Sequence, residues 1–410
     1  MSRLVIDPVK VSSALTDLMQ ASHVAALEEL PRMVVDSVEP VGLHDVAFFL
    51  VDVQGKVLRE VTGRGADAGR DGVELAVDTT LAGLAFRRVD LVTEPSASSR
   101  RDRCRWWVPV TDGVERLGVL RVDTGQDDQA TRDALRVLAS MVALLLLSKR
   151  NFSDSYARLI RTAPMSVAAE MQWHLTPPSA FAGRRTTVAA VSEPAYEVGG
   201  DAFDYAVSDN VLHLFMFDAM GHDARAGLTA NMAVATCRNA RRQGADLVQT
   251  SQAVEDALIE QFGTSRYITG ILADLDMRTG RLTWINRGHH LPMLLRSGRW
   301  PSELHCPPAG PMGVALGLPV AVCQDQMHPG DRLVLYTDGV IEARDAQGRE
   351  FGLKRFTDYL VRHHADRLTV HETLRRLIHS VLDHHDGHLN DDATILLAEW
   401  RDPDQDRLTP

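Results

Sequence analysis

The chain has 410 residues, enough for two or three domains at roughly 100–200 residues each. Its 45% hydrophobic and 24% charged residues are ordinary for globular protein. The net charge of −11 counts against a nonspecific nucleic-acid binder, whose affinity comes from neutralising phosphates with Lys and Arg. The amino terminus, MSRLVIDPVK, has no apolar signal core. The most apolar stretch, Ala134–Leu147, is interrupted by Arg136 and falls short of the ~20 residues a membrane span needs. Cys104, Cys237, Cys306 and Cys323 lie far apart and form no CxxC pair, which argues against a zinc ribbon and against a disulfide framework. A cytoplasmic protein without a membrane span is expected.

In chain order, AFFLVDVQG (Ala47–Gly55) reads as a strand, followed by turn chemistry in GRGADAGRDG (Gly63–Gly72). WWVPV (Trp106–Val110), the turn TDG (Thr111–Gly113) and RLGVLRVD (Arg116–Asp123) read as a hairpin. A helix from Asp127 to about Lys149 follows, with Leu135, Leu138, Met141, Val142 and Leu145 at helical spacing. DTTLAGLAFRRVDLV (Asp78–Val92), WVPVTDGVERLGVLRVD (Trp107–Asp123) and the closing helix resemble a GAF domain over residues 18–149. The resemblance implies an α/β sensor module that receives a small-molecule or protein signal. No NKFDE-type nucleotide signature accompanies it, and Cys104 is read as structural.

Residues 150–178 are polar with apolar residues at intervals (Phe152, Tyr156, Leu159, Ile160) and end in AAEMQWHLTPP, where the prolines stop the helix. A helical linker between sensor and effector is expected, with residues 127–175 offering a route to a homodimer.

From residue 180 to 400, strands are expected at Thr186–Ser192, Phe203–Val207, Val211–Phe217, Tyr267–Asp274, Arg281–Asn286, Arg332–Thr337 and Ala393–Glu399. Helices are expected at Asp223–Arg242, Asp246–Phe262, Leu353–His363 and Val370–His384. Strands in runs separated by paired helices predict an α+β fold, a β-sandwich flanked by helices, rather than a doubly wound sheet. No kinase or DNA-binding domain is expected after the last strand.

The acidic residues stand out against this layout. Asp201 lies in VGGDAFD, Asp218 ends the apolar strand LHLFMF, Asp338 follows RLVLY in TDG, and Asp391 and Asp392 precede ATILLAEW. A lone aspartate at a strand end usually caps a turn. Four strand ends each offering a carboxylate suggest a hard-oxygen site for Mg²⁺ or Mn²⁺.

The ordered series EPAYEVGGDAFDY, FDAMGH, INRGHHLPMLL, LVLYTDGVIEA, FG (Phe351–Gly352) and NDDATILL resembles the PPM-type serine/threonine protein phosphatases, and more narrowly their bacterial SpoIIE-like branch. AEMQWHLTPP fits that branch's lead-in helix. The resemblance implies two divalent cations, Mn²⁺ or Mg²⁺. Asp201, Asp218 and the Ala219 carbonyl would hold one, Asp218 would bridge to the second, and Asp338 and Asp391 would complete it. Asp392, Gly200, Gly221, His222, Asp223 and Gly339 would support these ligands from behind. It further implies hydrolysis of a phosphoserine or phosphothreonine by a water activated between the metals. The implied substrate is a phosphorylated regulatory protein such as an anti-sigma-factor antagonist. No CxxxxxR signature of a cysteine phosphatase is present.

One departure stands beside the site. The family's GHG reads GHD here, and Asp223 either N-caps the next helix or adds charge near the metals. It motivates the alternative of a catalytically weak sensor or scaffold that binds a partner without efficient turnover. A hydrolase of small phosphate esters or nucleic acids is a third reading, opposed by the acidic charge and the order of the motifs. His222 and His289 are read as loop organisers. His384, His385 and His388 have spacing suited to zinc, but a helix end accounts for them through the dipole.

Overall fold

The computed structural model describes residues 7–94, 103–296, 301–365, 368–385, 389 and 391–401. The chain divides into two compact units, Met1–Pro164 and Met165–Pro410.

In the first unit, strands β1 (Leu43–Val51), β2 (Val57–Val61), β3 (Glu74–Ala76), β4 (Val92–Glu94), β5 (Cys104–Asp112) and β6 (Glu115–Thr124) form one antiparallel sheet in the order β3-β2-β1-β6-β5-β4. Its helices are α1 (Pro8–Ser22), α2 (Leu30–Val38), α3 (Leu81–Arg88), α4 (Gln129–Arg150) and α5 (Asp154–Leu159). Alternation along β1 explains how both faces are covered. Phe48 and Leu50 join Leu15, Val34, Leu138 and Val142 of α1, α2 and α4. Ala47 and Phe49 turn the other way, towards Ala85 and Phe86 of α3. The expected hairpin and closing helix are present, the helix capped by Asp128, whose side chain accepts from the Thr131 N–H. The first strand begins at Leu43, four residues before the apolar run suggested.

Residues 150–178 hold two short helices, α5 and α6 (Val167–Leu175), with non-helical backbone around Pro164 between them. Serine caps both, Ser153 and Ser166 accepting from Tyr156 and Ala169.

The second unit is an α+β sandwich. Its strands are β7 (Ala180–Ala182), β8 (Thr186–Glu193), β9 (Asp201–Ser208), β10 (Val211–Ala219), β11 (Ile268–Asp276), β12 (Arg281–Arg287), β13 (Met293–Leu295), β14 (Ser302–Glu303), β15 (Cys323–Gln326), β16 (Arg332–Tyr336) and β17 (Ala393–Trp400). They form two antiparallel sheets in the orders β15-β12-β11-β10-β9 and β14-β13-β16-β17-β8-β7. Helices α7 (Ala224–Arg242) and α8 (Leu247–Phe262) cover the first; α9 (Asp338–Glu342), α10 (Gly352–Ala365) and α11 (Val370–His384) follow β16.

Strand β10 is mostly apolar, interrupted by His213 ahead of Asp218, because both its faces are buried. Leu212, Leu214 and Met216 meet Leu335, Leu396 and Ala398 of the opposing sheet. Phe215 and Phe217 face Ala226, Ala230 and Ala233, whose small side chains let α7 lie close. This i, i+4, i+7 spacing buries one face of α7 against the sheet.

The cysteine reading is corrected. Cys306 and Cys323 form a disulfide with Cα atoms 5.8 Å apart, while Cys104 and Cys237 are free. The two are 17 residues apart in sequence. Strand β15 pairs with β12, setting Cys323 opposite Trp284, and the bridge to Cys306 is a tertiary contact that residue spacing does not encode. Among the described residues no helix is long and apolar enough to cross a membrane.

Candidate metal centre

Antiparallel pairing brings the aspartates to one end of the sandwich. Asp201 opens β9 and Asp218 lies one residue from the end of β10, and the register sets them directly opposite each other. In the second sheet β16 ends at Tyr336 and β17 starts at Ala393, so Asp338 and the Asp391–Asp392 pair emerge at neighbouring strand ends. Asp201 and Asp392 are buried, Asp218 and Asp338 half-buried, and Asp391 exposed.

Thr337 ties the sheets together. Its hydroxyl donates to Asp201 Oδ2 at 2.6 Å and accepts from the Thr394 N–H at 3.0 Å. Asp392 does not point outward with Asp391; its Oδ2 accepts from the Gly200 N–H. Gly200 and Gly339 are glycines because no side chain fits. A Cβ on Gly200 would lie 2.5 Å from the carbonyl oxygens of both Ala219 and Gly221, and one on Gly339 would lie 2.0 Å from that of Asp392.

The electrostatics are those of like charges held in a partly dry place. Burial, then the charges of Asp218 and Asp392, push the Asp201 carboxyl well above the usual carboxylate range, against the Thr337 hydrogen bond. Burial followed by Asp338, Asp391 and Asp392 raises Asp218 to about 7. Asp392 rises to about 6, chiefly through burial, opposed by the N–H groups of Gly200 and Asp201 and by His222. Burial and the three neighbouring carboxylates all disfavour the charge on Asp218. Hard oxygen donors with uncompensated negative charge fit Mg²⁺ or Mn²⁺. Among the described residues, no three His, Cys, Asp or Glu side chains are already drawn together around an ion-sized space.

The remaining residues take support positions. Ala219 is the buried last residue of β10, and its N–H donates to the Gly200 carbonyl at 3.0 Å. Gly221, His222 and Asp223 form the exposed loop into α7. Asp223 caps that helix, Oδ1 accepting from the N–H groups of Arg225 and Ala226 at 3.1 and 2.9 Å. His289 is buried, with Nδ1 beside the Thr269 hydroxyl at 2.8 Å and Nε2 beside the Tyr336 carbonyl at 3.2 Å. Burial first, then His290, lowers its pKa to about 3. His384 ends α11, packs on Phe351 and contacts the Arg349 carbonyl, His385 is the residue that caps the helix, and His388 lies outside the described residues.

Thr337 and Gln172 were not singled out from the sequence. Thr337 directly precedes Asp338, so its motif carried the signal. Gln172 stands in AEMQWHLTPP, distant in sequence from every aspartate.

Residues 208–401 match the sequence family described as Stage II sporulation protein E (SpoIIE). The chain is 22% identical over 267 residues to Protein IcfG of Synechocystis sp., covering 58% of this chain and 39% of that protein. It is 21% identical over 234 residues to Phosphoserine phosphatase RsbU of Bacillus subtilis, covering 57% and 69%. Thus the chain spans about two-fifths of IcfG's length. Among solved structures, the SiaA-PP2C domain of Pseudomonas aeruginosa is similar at 21% identity and a TM-score of 0.49, covering 57% of this chain and 94% of that one. The stretch similar to the SpoIIE family thus lies within the second unit, the one that carries the aspartates.

Proposed function

We propose that this protein is a metal-dependent serine/threonine protein phosphatase. The observation that carries the reading is the convergence of Asp201, Asp218, Asp338 and Asp391 on one end of the sandwich. In this reading Asp201, Asp218 and the Ala219 carbonyl hold one divalent cation, and Asp218, Asp338 and Asp391 a second. Bound there, two such cations lower the pKa of a water and offset charge on the phosphoryl group.

The protein's own part is positioning. Thr337 keeps Asp201 turned to the site through a charge-assisted hydrogen bond. Asp392 fixes the backbone at Gly200, and Gly200 lets that backbone approach the carbonyls of Ala219 and Gly221. His289 stays neutral and braces β11 against the end of β16, just before Asp338.

The substrate we propose is a phosphoserine or phosphothreonine on a regulatory protein, an anti-sigma-factor antagonist being the favoured class. The phosphoserine phosphatase name of RsbU supports this. The first unit is proposed to be a GAF-like sensor acting through residues 150–178, and deleting residues before Thr162 is expected to change turnover or metal affinity. The scaffold alternative drew on Asp223, whose carboxylate is engaged by the helix it caps and by Arg266.

Purified protein with Mn²⁺ or Mg²⁺ should release phosphate from a phosphoprotein or an aryl phosphate. Asp218→Asn should abolish release. Turnover unchanged in that variant, or in excess chelator, would reject the metal mechanism.

A further inference from the structure

Helix α6 precedes the sandwich and contributes none of the aspartates, yet one of its side chains reaches the centre. The Gln172 amide donates through Nε2 to the carbonyl of Asp201 and accepts through Oε1 from the Gly199 N–H at 3.2 Å. The two partners dictate the amide's orientation, because only oxygen can accept from an N–H and only nitrogen can donate to a carbonyl. Asp392 grips the same turn at the Gly200 N–H. The Gly199–Gly200–Asp201 backbone is therefore held at three successive residues, and the first and last of those holds come from one amide on α6.

Helix α6 is itself anchored. Ser166 caps its start, and Arg238 of α7 donates to the Leu175 carbonyl at its end at 2.6 Å. Arg238 also pairs with buried Asp204 in β9, so α6 is fixed to the strand that Asp201 opens. Gln172 is half-buried between exposed Met171 and Trp173, which places its amide as the point where α6 meets the turn.

We propose that Gln172 is a positioning residue for Asp201, making metal affinity depend on the seating of α6. This rests on the metal-centre reading above. Asp201 is already pressed by burial and by the charges of Asp218 and Asp392. A turn released from Gln172 would let that carboxylate swing away from its like-charged neighbours, and the arrangement an ion needs would have to be rebuilt on binding. Partners that orient metal ligands from behind typically contribute about 10–100-fold to affinity.

The test is calorimetric titration of the full-length protein with Mn²⁺ alone, alongside thermal melts without metal. Wild type should bind and Asp218→Asn should lose binding; absence of binding in wild type would overturn the metal-centre reading and this inference with it. Gln172→Met keeps the volume but removes both hydrogen bonds, and Gln172→Glu keeps the acceptor for Gly199 while losing the donor to Asp201. Both should weaken Mn²⁺ binding by about tenfold or more with little change in the metal-free melt, and saturating Mn²⁺ should restore kcat. Weakening in Gln172→Glu runs against its added negative charge, so long-range attraction would not explain it. Should Gln172→Met fail to fold, Gln172→Glu alone decides. Exposed Met171→Ala should bind as wild type does. Wild-type Mn²⁺ affinity in a folded Gln172 variant overturns the proposal even where wild type binds and Asp218→Asn does not.

Discussion

Asp223 Oδ2 lies 3.5 Å from the Arg266 guanidinium, while Oδ1 of the same carboxylate caps α7. Arg266 also donates to the Met220 carbonyl at 3.0 Å, so the pair braces the loop that leaves Ala219. The backbone N–H groups of Ala226 and Arg225, together with Arg266, hold the Asp223 carboxyl below its ordinary range. Its charge is thus taken up by the helix start and a guanidinium. Asp223→Gly, which recreates the family's GHG, is expected to keep Mn²⁺ affinity within about threefold of wild type, since helix-terminus charge effects are confined to one turn. The melting temperature should fall slightly from loss of the cap. Calorimetry with Mn²⁺ checks this; a large gain in affinity would show that the Asp223 charge opposes the metals.

Gly200→Ala and Gly339→Ala should separate folding from function. The added methyl at residue 200 meets two carbonyl oxygens at 2.5 Å, and at residue 339 it meets one at 2.0 Å. Backbone cannot rotate aside as a flexible side chain can, so the strand ends must part. Overpacking of this sort costs roughly 1–3 kcal/mol. Circular dichroism should report a folded protein of lower melting temperature, and phosphate release should fall more than 100-fold, roughly the loss of about 3 kcal/mol of transition-state stabilisation. Near-normal turnover in both would show that close approach at these turns is dispensable.

Why the sequence was readable here and opaque elsewhere follows from which contacts are local. The helix starting at Asp223 and the apolar run of β10 are visible because capping and burial on both strand faces leave marks within a dozen residues. That Asp392 turns inward while Asp391 stays exposed follows from a contact 192 residues away, that of Asp392 with Gly200, which adjacency alone does not encode. Helices α1 and α2 escaped the reading, although Leu30, Val34 and Val38 of α2 recur at helical spacing and Val11 and Leu15 of α1 fill the same core. The Cys306–Cys323 bridge likewise depends on where β15 pairs.

A buried cluster of like charges costs stability until a cation joins it. Removing one carboxylate should relieve that cost, so metal-free Asp218→Asn is expected to melt higher than metal-free wild type near neutral pH. Wild type should gain several degrees on addition of saturating Mn²⁺, because a ligand that binds only the folded state stabilises it. The variant should gain little. Differential scanning calorimetry with and without Mn²⁺ reads all four values, and a variant that melts below wild type without metal would contradict the picture of repulsion.

His289 supplies a pH dependence whose sign can be worked out. Its pKa is pushed down to about 3 in the fold, against an ordinary value of 6.5, because burial disfavours the imidazolium. Between those values the unfolded chain binds a proton that the folded one does not, so stability rises with pH across the window. The contribution is fully present above about pH 6.5 and is lost progressively as pH falls towards 3. His289→Gln keeps a polar group between Thr269 and Tyr336 but removes the titration. The variant should be less stable at pH 7.5, and its stability should fall less steeply than that of wild type between pH 6.5 and pH 4. Urea titrations at intervals through that range measure both slopes, and the difference between them cancels the carboxylates common to both proteins. Parallel slopes would mean that His289 titrates in the folded protein much as it does in the unfolded chain.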